Sequence, residues 1–396
     1  MIARYRAVLS VPGSLRLYAT ALFARLPQGM GALAILLIVR GATHSYTLAG
    51  LATGGAAAAQ ASAAPSQGRL VDRFGRTRVL APCGVIQAIL FVGLVVGAHA
   101  HLPGGLLVVL ACGTGGFQPA IAPAVRALLR TVIADQEVRE TAYSLEAVIQ
   151  ELVWIAGPLL VAVAVTVGSP SAAGLLCAAV SLVGTVTFIT SPASRGAGRG
   201  REASRGAASV LVANPQLRNL LVPIGLMGIA LGATEVGIPS LALHAGSRGD
   251  SGLLLAAWSA GSMLGGLVYG SRNWRLPLAE RYRRLLMLAV LCAVPLTLVR
   301  SIGLGLVASL VAGLTVAPVF SCQYALVGHA VTEGSETEAF TWVSAALIAG
   351  IAGGSALGGA LITPVSVSAP FLVACLSLAV AATTAVRARQ LARVTA

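Results

Sequence analysis

Gly68-Arg69-Leu70-Val71-Asp72-Arg73-Phe74-Gly75-Arg76-Thr77-Arg78 is a short charged interruption between two apolar stretches, residues 47–67 and 79–99. Its eleven residues include four arginines, one aspartate and two glycines. Gly68 and Gly75 permit a tight turn and close helix approach. Asp72 can accept hydrogen bonds from a helix start, and the arginines offer forked donors to carboxylates. A loop that only carried positive charge would need neither the aspartate nor the glycines. The stretch therefore reads as a built contact between helices.

Its flanks set the class. A spanning helix needs about 20 apolar residues. Such stretches lie near 17–39, 47–67, 79–99, 104–127, 141–166, 171–190, 217–243, 251–270, 284–301, 303–329, 339–362 and 367–386. Of the 396 residues, 57% are hydrophobic and only 10% charged. A soluble domain carries about 25% charged residues, and in water a chain of this composition would leave too much apolar surface exposed. A lipid bilayer is the solvent that suits it. The 46 glycines agree, because helices in lipid pack through small residues. The expectation is an all-α membrane protein with twelve transmembrane helices.

Charge gives the orientation. All 27 basic residues are arginine. With the N-terminus inside, the cytoplasmic connections hold 23 of them, and the other side holds only Arg40, Arg248 and Arg300. That bias places both termini in the cytoplasm and the protein in the cell (cytoplasmic) membrane as a multi-pass chain. The net charge of +14 is spread between spans rather than on one face, so nucleic acid is not expected as a partner. The lysine-free, Ala- and Gly-rich composition is that of a GC-rich bacterial genome. Without lysine the chain can build neither a Walker A loop nor a Schiff base. The six cysteines lie in apolar spans with no CxxC, which indicates small hydrophobes rather than a disulfide framework or metal site. His99-x-His101 offers only two ligands, too few for a metal.

Residues 191–215 are rich in Gly, Ser and Arg and read as a linker. They divide the chain into a bundle of residues 1–190 and a bundle of residues 216–396, which resemble each other. Leu15-Arg16, Gly50-Leu51 and Gly68 recur as Leu217-Arg218, Gly252-Leu253 and Gly270, all at an offset of 202. Ala142-Tyr143-Ser144-Leu145 recurs as Ala339-Phe340-Thr341-Trp342, and Gly157 as Gly354, at an offset of 197. Parallel halves of this kind are a transporter architecture.

In that setting the Gly68–Arg78 loop resembles the signature loop of the major facilitator superfamily, a Gly-x-x-x-Asp-Arg-x-Gly-Arg pattern, and stands between the same two spans. The six-plus-six layout extends the resemblance over essentially the whole chain. It implies the major facilitator fold, two six-helix bundles that rock about a substrate held between them. It also implies a gate motif of Gly68, Asp72, Arg73, Gly75 and Arg76. The connection between spans ten and eleven is acidic, with Glu333, Glu336 and Glu338, against the positive-inside bias. Glu336 or Glu338 is expected to pair with Arg73, Arg76 or Arg78 across the halves. The second-half loop, Gly270-Ser271-Arg272-Asn273-Trp274-Arg275, is degenerate, with Trp274 or Gly270 in the aspartate's place.

Ionisable residues inside spans mark function. Arg25 lies in span one, Glu146 and Glu151 in span five and Glu235 in span seven. In the family spans one, four, seven and ten line the cavity, which puts Arg25 and Glu235 on opposite halves, at depths that argue against a direct pair. Glu146, Gln150 and Trp154 share one face of span five. Glu151 and Glu235 are candidates for handling a proton or substrate, or for structural hydrogen bonds. Glu146 reads as a gate or structural residue. Gly157-Pro158 resembles part of the family's antiporter motif and is assigned to helix packing. Span four lacks the intramembrane arginine common in proton-coupled drug exporters, and Arg126 is not expected to replace it. Trp154, Trp258 and Trp342 can stack on a substrate or simply pack.

The function expected is secondary active transport, in the form of proton-coupled efflux of a small hydrophobic or amphipathic molecule. Proton-coupled uptake of a metabolite is the alternative, and a transporter-like sensor is a third reading. No HExxH, GxSxG or catalytic cluster suggests an enzyme. No cofactor or metal is expected. The expected partners are the substrate, the proton and the bilayer, with the protein as a monomer.

Overall fold

The computed structural model describes residues 2–196, 210–244, 250–299, 301–362 and 366–394. Most of the expected linker lies outside these residues, as do Arg248 and Arg300. The described chain is helical, with no strand. Its helices are α1 (Ile2–Ser10), α2 (Ser14–Thr43), α3 (Tyr46–Phe74), α4 (Arg76–His99), α5 (Gly104–Gly116), α6 (Ile121–Val132), α7 (Gln136–Val167), α8 (Pro170–Ile189) and α9 (Pro192–Gly196). They continue as α10 (Val210–Ala213), α11 (Pro215–His244), α12 (Asp250–Gly270), α13 (Leu278–Leu298), α14 (Ile302–Gly313), α15 (Val316–Ala330), α16 (Glu336–Ile362) and α17 (Ala369–Val394).

Nine described stretches are long and apolar enough to cross a membrane. Beside the short helices α1, α9 and α10, three longer ones fall short of that measure for visible reasons. Helix α3 is diluted by Ser, Gln, Gly and Ala. Helix α13 opens with Glu280, Arg281, Arg283 and Arg284. In α17 only the segment Ala369–Ala385 qualifies as a shorter apolar helix.

Two of the expected spans are each built from two helices. Residues 104–127 form α5 and α6, broken near Pro119, and residues 303–329 form α14 and α15, broken just before Pro318. Proline lacks the N–H that a continuous helix would use. The Gly68–Arg78 stretch is also less of a loop than expected. Its first seven residues are the last turns of α3, and only Gly75, at φ +89, makes the turn into α4.

The helices of residues 14–189 and of residues 215–394 repeat one packing pattern. Helix α2 packs on α7 and α8, α3 on α5 and α4 on α8. Correspondingly α11 packs on α16 and α17, α12 on α14 and α13 on α17. Across the two sets α3 meets α16, and α7 meets α12 and α15.

Burial shows which end is closed. One hydrophobic core joins both sets at the arginine-rich end, including Leu17, Leu128, Tyr143, Tyr324 and Phe340. At the opposite end each set has its own separate core, one around Ile35 and Phe91, the other around Ile238 and Phe371. Helices α6 and α15, nearly buried all round, plug the closed end.

Small residues set the close crossings. A Cβ on Gly157 of α7 would meet Gly29 Cα of α2 at 2.7 Å, and one on Gly265 of α12 would meet Leu314 Cα at 3.0 Å. The packing role expected of Gly157 therefore has a direct partner. Gly157→Val should separate α2 from α7 and cost about 1–3 kcal/mol, read as a lower thermal unfolding temperature of the purified protein. An unchanged melt would contradict this contact.

Candidate functional site

Arg25 is 2% exposed and Glu146 fully buried. Arg25 Nη1 donates to Glu146 Oε1 at 2.8 Å, and its other terminal nitrogen donates to Gln150 Oε1. Arg126 Nε lies 3.3 Å from the same Glu146 oxygen. The Arg126 guanidinium also sits 4.0 Å above the Tyr324 ring of α15. Three helices thus converge on one carboxylate: α2 with Arg25, α6 with Arg126, and α7 with Glu146 and Gln150. The break before α6 turns its first nine residues wholly into protein, which brings Arg126 inward.

Arg126, which sequence reasoning had counted only for topology, is buried on the central carboxylate. Glu146, read as a gate or structural residue, is the counter-ion of two arginines. Two charged guanidinium groups on one carboxylate leave the trio net positive. Its buried atoms Arg25 Nε, Glu146 Oε2 and Gln150 Nε2 make no hydrogen bond among the described residues.

Further along α7, Glu151 accepts a hydrogen bond from Ser262 of α12 at 2.9 Å. Glu235 of α11 is exposed and makes no hydrogen bond or ion pair among the described residues. Trp154 is 47% exposed. By helical rotation it projects between Gln150 and Glu151, residues whose faces meet α2 and α12, so the indole opens into the space between the two sets. Trp342 lines an apolar cavity of about 590 Å³ between α3 and α16, together with Ala57, Ala61, Leu221 and Ala349.

At the closed end Asp72 does what a capping carboxylate does. Its two oxygens accept from the backbone N–H groups of Thr337 and Glu338 at 3.1 and 2.8 Å, in the first turn of α16. Gly68 brings the helices together, for a Cβ there would meet Glu338 Cα at 2.8 Å. Glu338 also forms an ion pair with Arg69, at 3.0 Å, a partner outside the expected set of Arg73, Arg76 and Arg78. Arg69 lies one turn before Arg73 on α3, whereas Arg73 lies 5.1 Å over the ring of Phe74. Glu336 accepts from Gly334 N–H at 2.8 Å, and Arg130 donates to the carbonyl of Val331. Tyr143 and Tyr324 pack on Phe340 with centroids 6.3 and 6.4 Å apart, closing the centre.

Sequence reasoning missed Arg126, Tyr324, Ser262 and Arg69 as contact residues. Arg126 and Arg69 had been assigned to topology, and Tyr324 and Ser262 sit in apolar runs that carry no signal.

Comparison with known proteins agrees with this geometry. The Major Facilitator Superfamily model matches residues 17–302. No curated protein matches the chain. The structure resembles a bacterial homologue of the iron transporter ferroportin in an outward-facing state, with TM-score 0.78 and 14% identity over 95% of this chain and 99% of that one. It also resembles the human organic anion transporter MFSD10 (TETRAN), with TM-score 0.73 and 16% identity over 94% and 99% of the two chains. The proton:xylose symporter XylE gives TM-score 0.71 and 11% identity over 93% and 94%. At these identities the likeness is one of fold.

Removing one partner of a buried ion pair costs about 3–5 kcal/mol. Glu146→Gln should therefore lose most of its folded yield or melt far below wild type, and Gln150→Leu should melt much nearer to it. Thermal unfolding of both variants in detergent checks this ordering, and equal melts would contradict it.

Proposed function

The chain belongs to the Major Facilitator Superfamily, and on that premise we propose that it is a proton-coupled secondary transporter exporting a small hydrophobic or amphipathic molecule by alternating access. The reading takes the chain as twelve spans in two six-helix halves, residues 1–190 and 216–396, joined by a linker at 191–215. Both termini are cytoplasmic in the cell membrane, and the protein works as a monomer. The closed, arginine-rich end then faces the cytoplasm, and the split end faces outward.

The observation that carries the coupling is the pair Glu151 and Glu235. They stand on opposite halves, and neither has a cation partner among the described residues. A carboxylate without a cation partner between two membrane-embedded helix sets can take up and release a proton as its surroundings change. Binding of substrate between the halves, or closure around it, changes the water and charge that each carboxylate meets, and proton uptake or release is tied to that change.

The surroundings suit an amphipathic substrate. Trp154 offers a ring face, the α3–α16 cavity is lined by Ala, Gly and Trp342, and the Arg25–Gln150 cluster supplies polar groups. Structures of this fold include a proton:xylose symporter and an E. coli fucose:proton symporter by name, which fits a proton as the coupling ion. No residue set here calls for a cofactor or an enzymatic reaction.

Proteoliposomes with an imposed pH gradient, tested with cationic, anionic and neutral amphipathic dyes, check the proposal. Wild type should move a dye against its gradient, opposite to the proton. Glu235→Gln and Glu151→Gln should each abolish gradient-driven movement while leaving downhill exchange. Movement in the proton's direction would make the protein a symporter, and movement indifferent to pH and to both substitutions would end the coupling assignment.

A further inference from the structure

The two halves close their cytoplasmic ends by different means. On one side Gly68 of α3 lies against Thr341 of α16, and Asp72 caps α16. On the other side Gly270 of α12 lies against Ser144 of α7, where a Cβ would meet Ser144 Cβ at 2.6 Å. Ser144 and Thr341 are the residues that the internal repeat matches, as are Gly68 and Gly270. The two crossings are therefore structural counterparts. Trp274 then stands where Asp72 stands, and it cannot accept a hydrogen bond from α7. Its indole N–H instead donates to the carbonyl of Tyr269 at 2.9 Å.

Helix α1 occupies this side. Arg4 Nη2 donates to Glu137 Oε2 at 2.9 Å, in the first turn of α7, and Arg4 Nη1 donates to the carbonyl of Arg272 at 2.9 Å, just past α12. One side chain thus ties the first half to the second. The Tyr5 hydroxyl lies 3.2 and 3.1 Å from the carbonyl oxygens of Gly266 and Leu267 of α12, and it fills the space left by the absent Cβ of Gly270. Val8, fully buried in the shared core, anchors the helix. Beneath it Thr141 donates to the Gly270 carbonyl at 3.1 Å and Ser144 to the Gly266 carbonyl at 2.6 Å.

We propose that Arg4 and Tyr5 of α1 are gate residues, bridging α7 and α12 in place of the capping carboxylate that the second half lacks. The proposal rests on the alternating-access reading. In the inward-facing state α7 and α12 part at this end, so Arg4 must release either Glu137 or the Arg272 carbonyl, and Tyr5 must leave α12. Both residues therefore favour the outward-facing state and act as positioning residues, without touching substrate.

The test is a pulsed electron–electron distance measurement on full-length protein with its six cysteines replaced and spin labels at Gln136→Cys and Asn273→Cys. Both positions are exposed, one at each side of the bridge. Arg4→Ala should raise the ratio of long to short distances about two- to fivefold, as expected for a partly exposed charged contact. Tyr5→Phe should move it the same way, and still reports if Arg4→Ala folds poorly. Asp72→Asn, at the other crossing, serves as reference. Longer distances in the α1 variants support the proposal. Longer distances with Asp72→Asn alone overturn it and leave alternating access standing. No change in any variant overturns both.

Discussion

A single buried carboxylate, Glu146, is the counter-ion of two guanidinium groups from two other helices. In an apolar interior those charges cannot be left unpaired, so α2, α6 and α7 are held in one arrangement with respect to each other. The cluster reaches the second half through the face of Tyr324, over which Arg126 lies. A cation–π contact is worth about 0.5–2 kcal/mol, whereas breaking a buried ion pair costs about 3–5 kcal/mol. The ratio matters more than either figure. Bonds inside the first half are strong, and between the halves the Arg281–Glu140 pair, 2.7 Å long with its arginine buried, stands among more modest contacts.

The closed end follows the same rule. Asp72 on α16 is a helix cap, a contact of about 1 kcal/mol, and the Arg69–Glu338 pair has a half-exposed arginine. Around them are hydroxyl-to-carbonyl bonds between α7 and α12 and an aromatic plug at Phe340. Many modest contacts along two helix crossings hold one state without locking it. The glycines at both crossings bring the facing helices close, Gly68 against the backbone of α16 and Gly270 against the small side chain of Ser144.

Much of this was legible in the sequence. Hydropathy located the helices, and the glycines and aspartate of Gly68–Arg78 located the crossing that Asp72 caps. The pairing of charges was less legible. Arginines counted for topology look alike whether they meet lipid headgroups or a buried carboxylate, so Arg126 was passed over and Arg69 was not matched to Glu338. Both depend on helix geometry that hydropathy does not encode: the break at Pro119 for Arg126, and the register of α3 against α16 for Arg69. Glu151 and Glu235 stood out because carboxylates are rare in apolar spans. That Glu151 meets Ser262 of α12 depended on how the two halves dock.

Coupling between substrate and proton is the claim on which this account stands. Its most direct test runs transport in reverse. A substrate gradient is imposed on proteoliposomes with equal pH on both sides, and a trapped pH dye records proton flow. The account predicts protons moving opposite to substrate, and none in Glu235→Gln. Substrate movement with no accompanying proton flow in the wild type would contradict it.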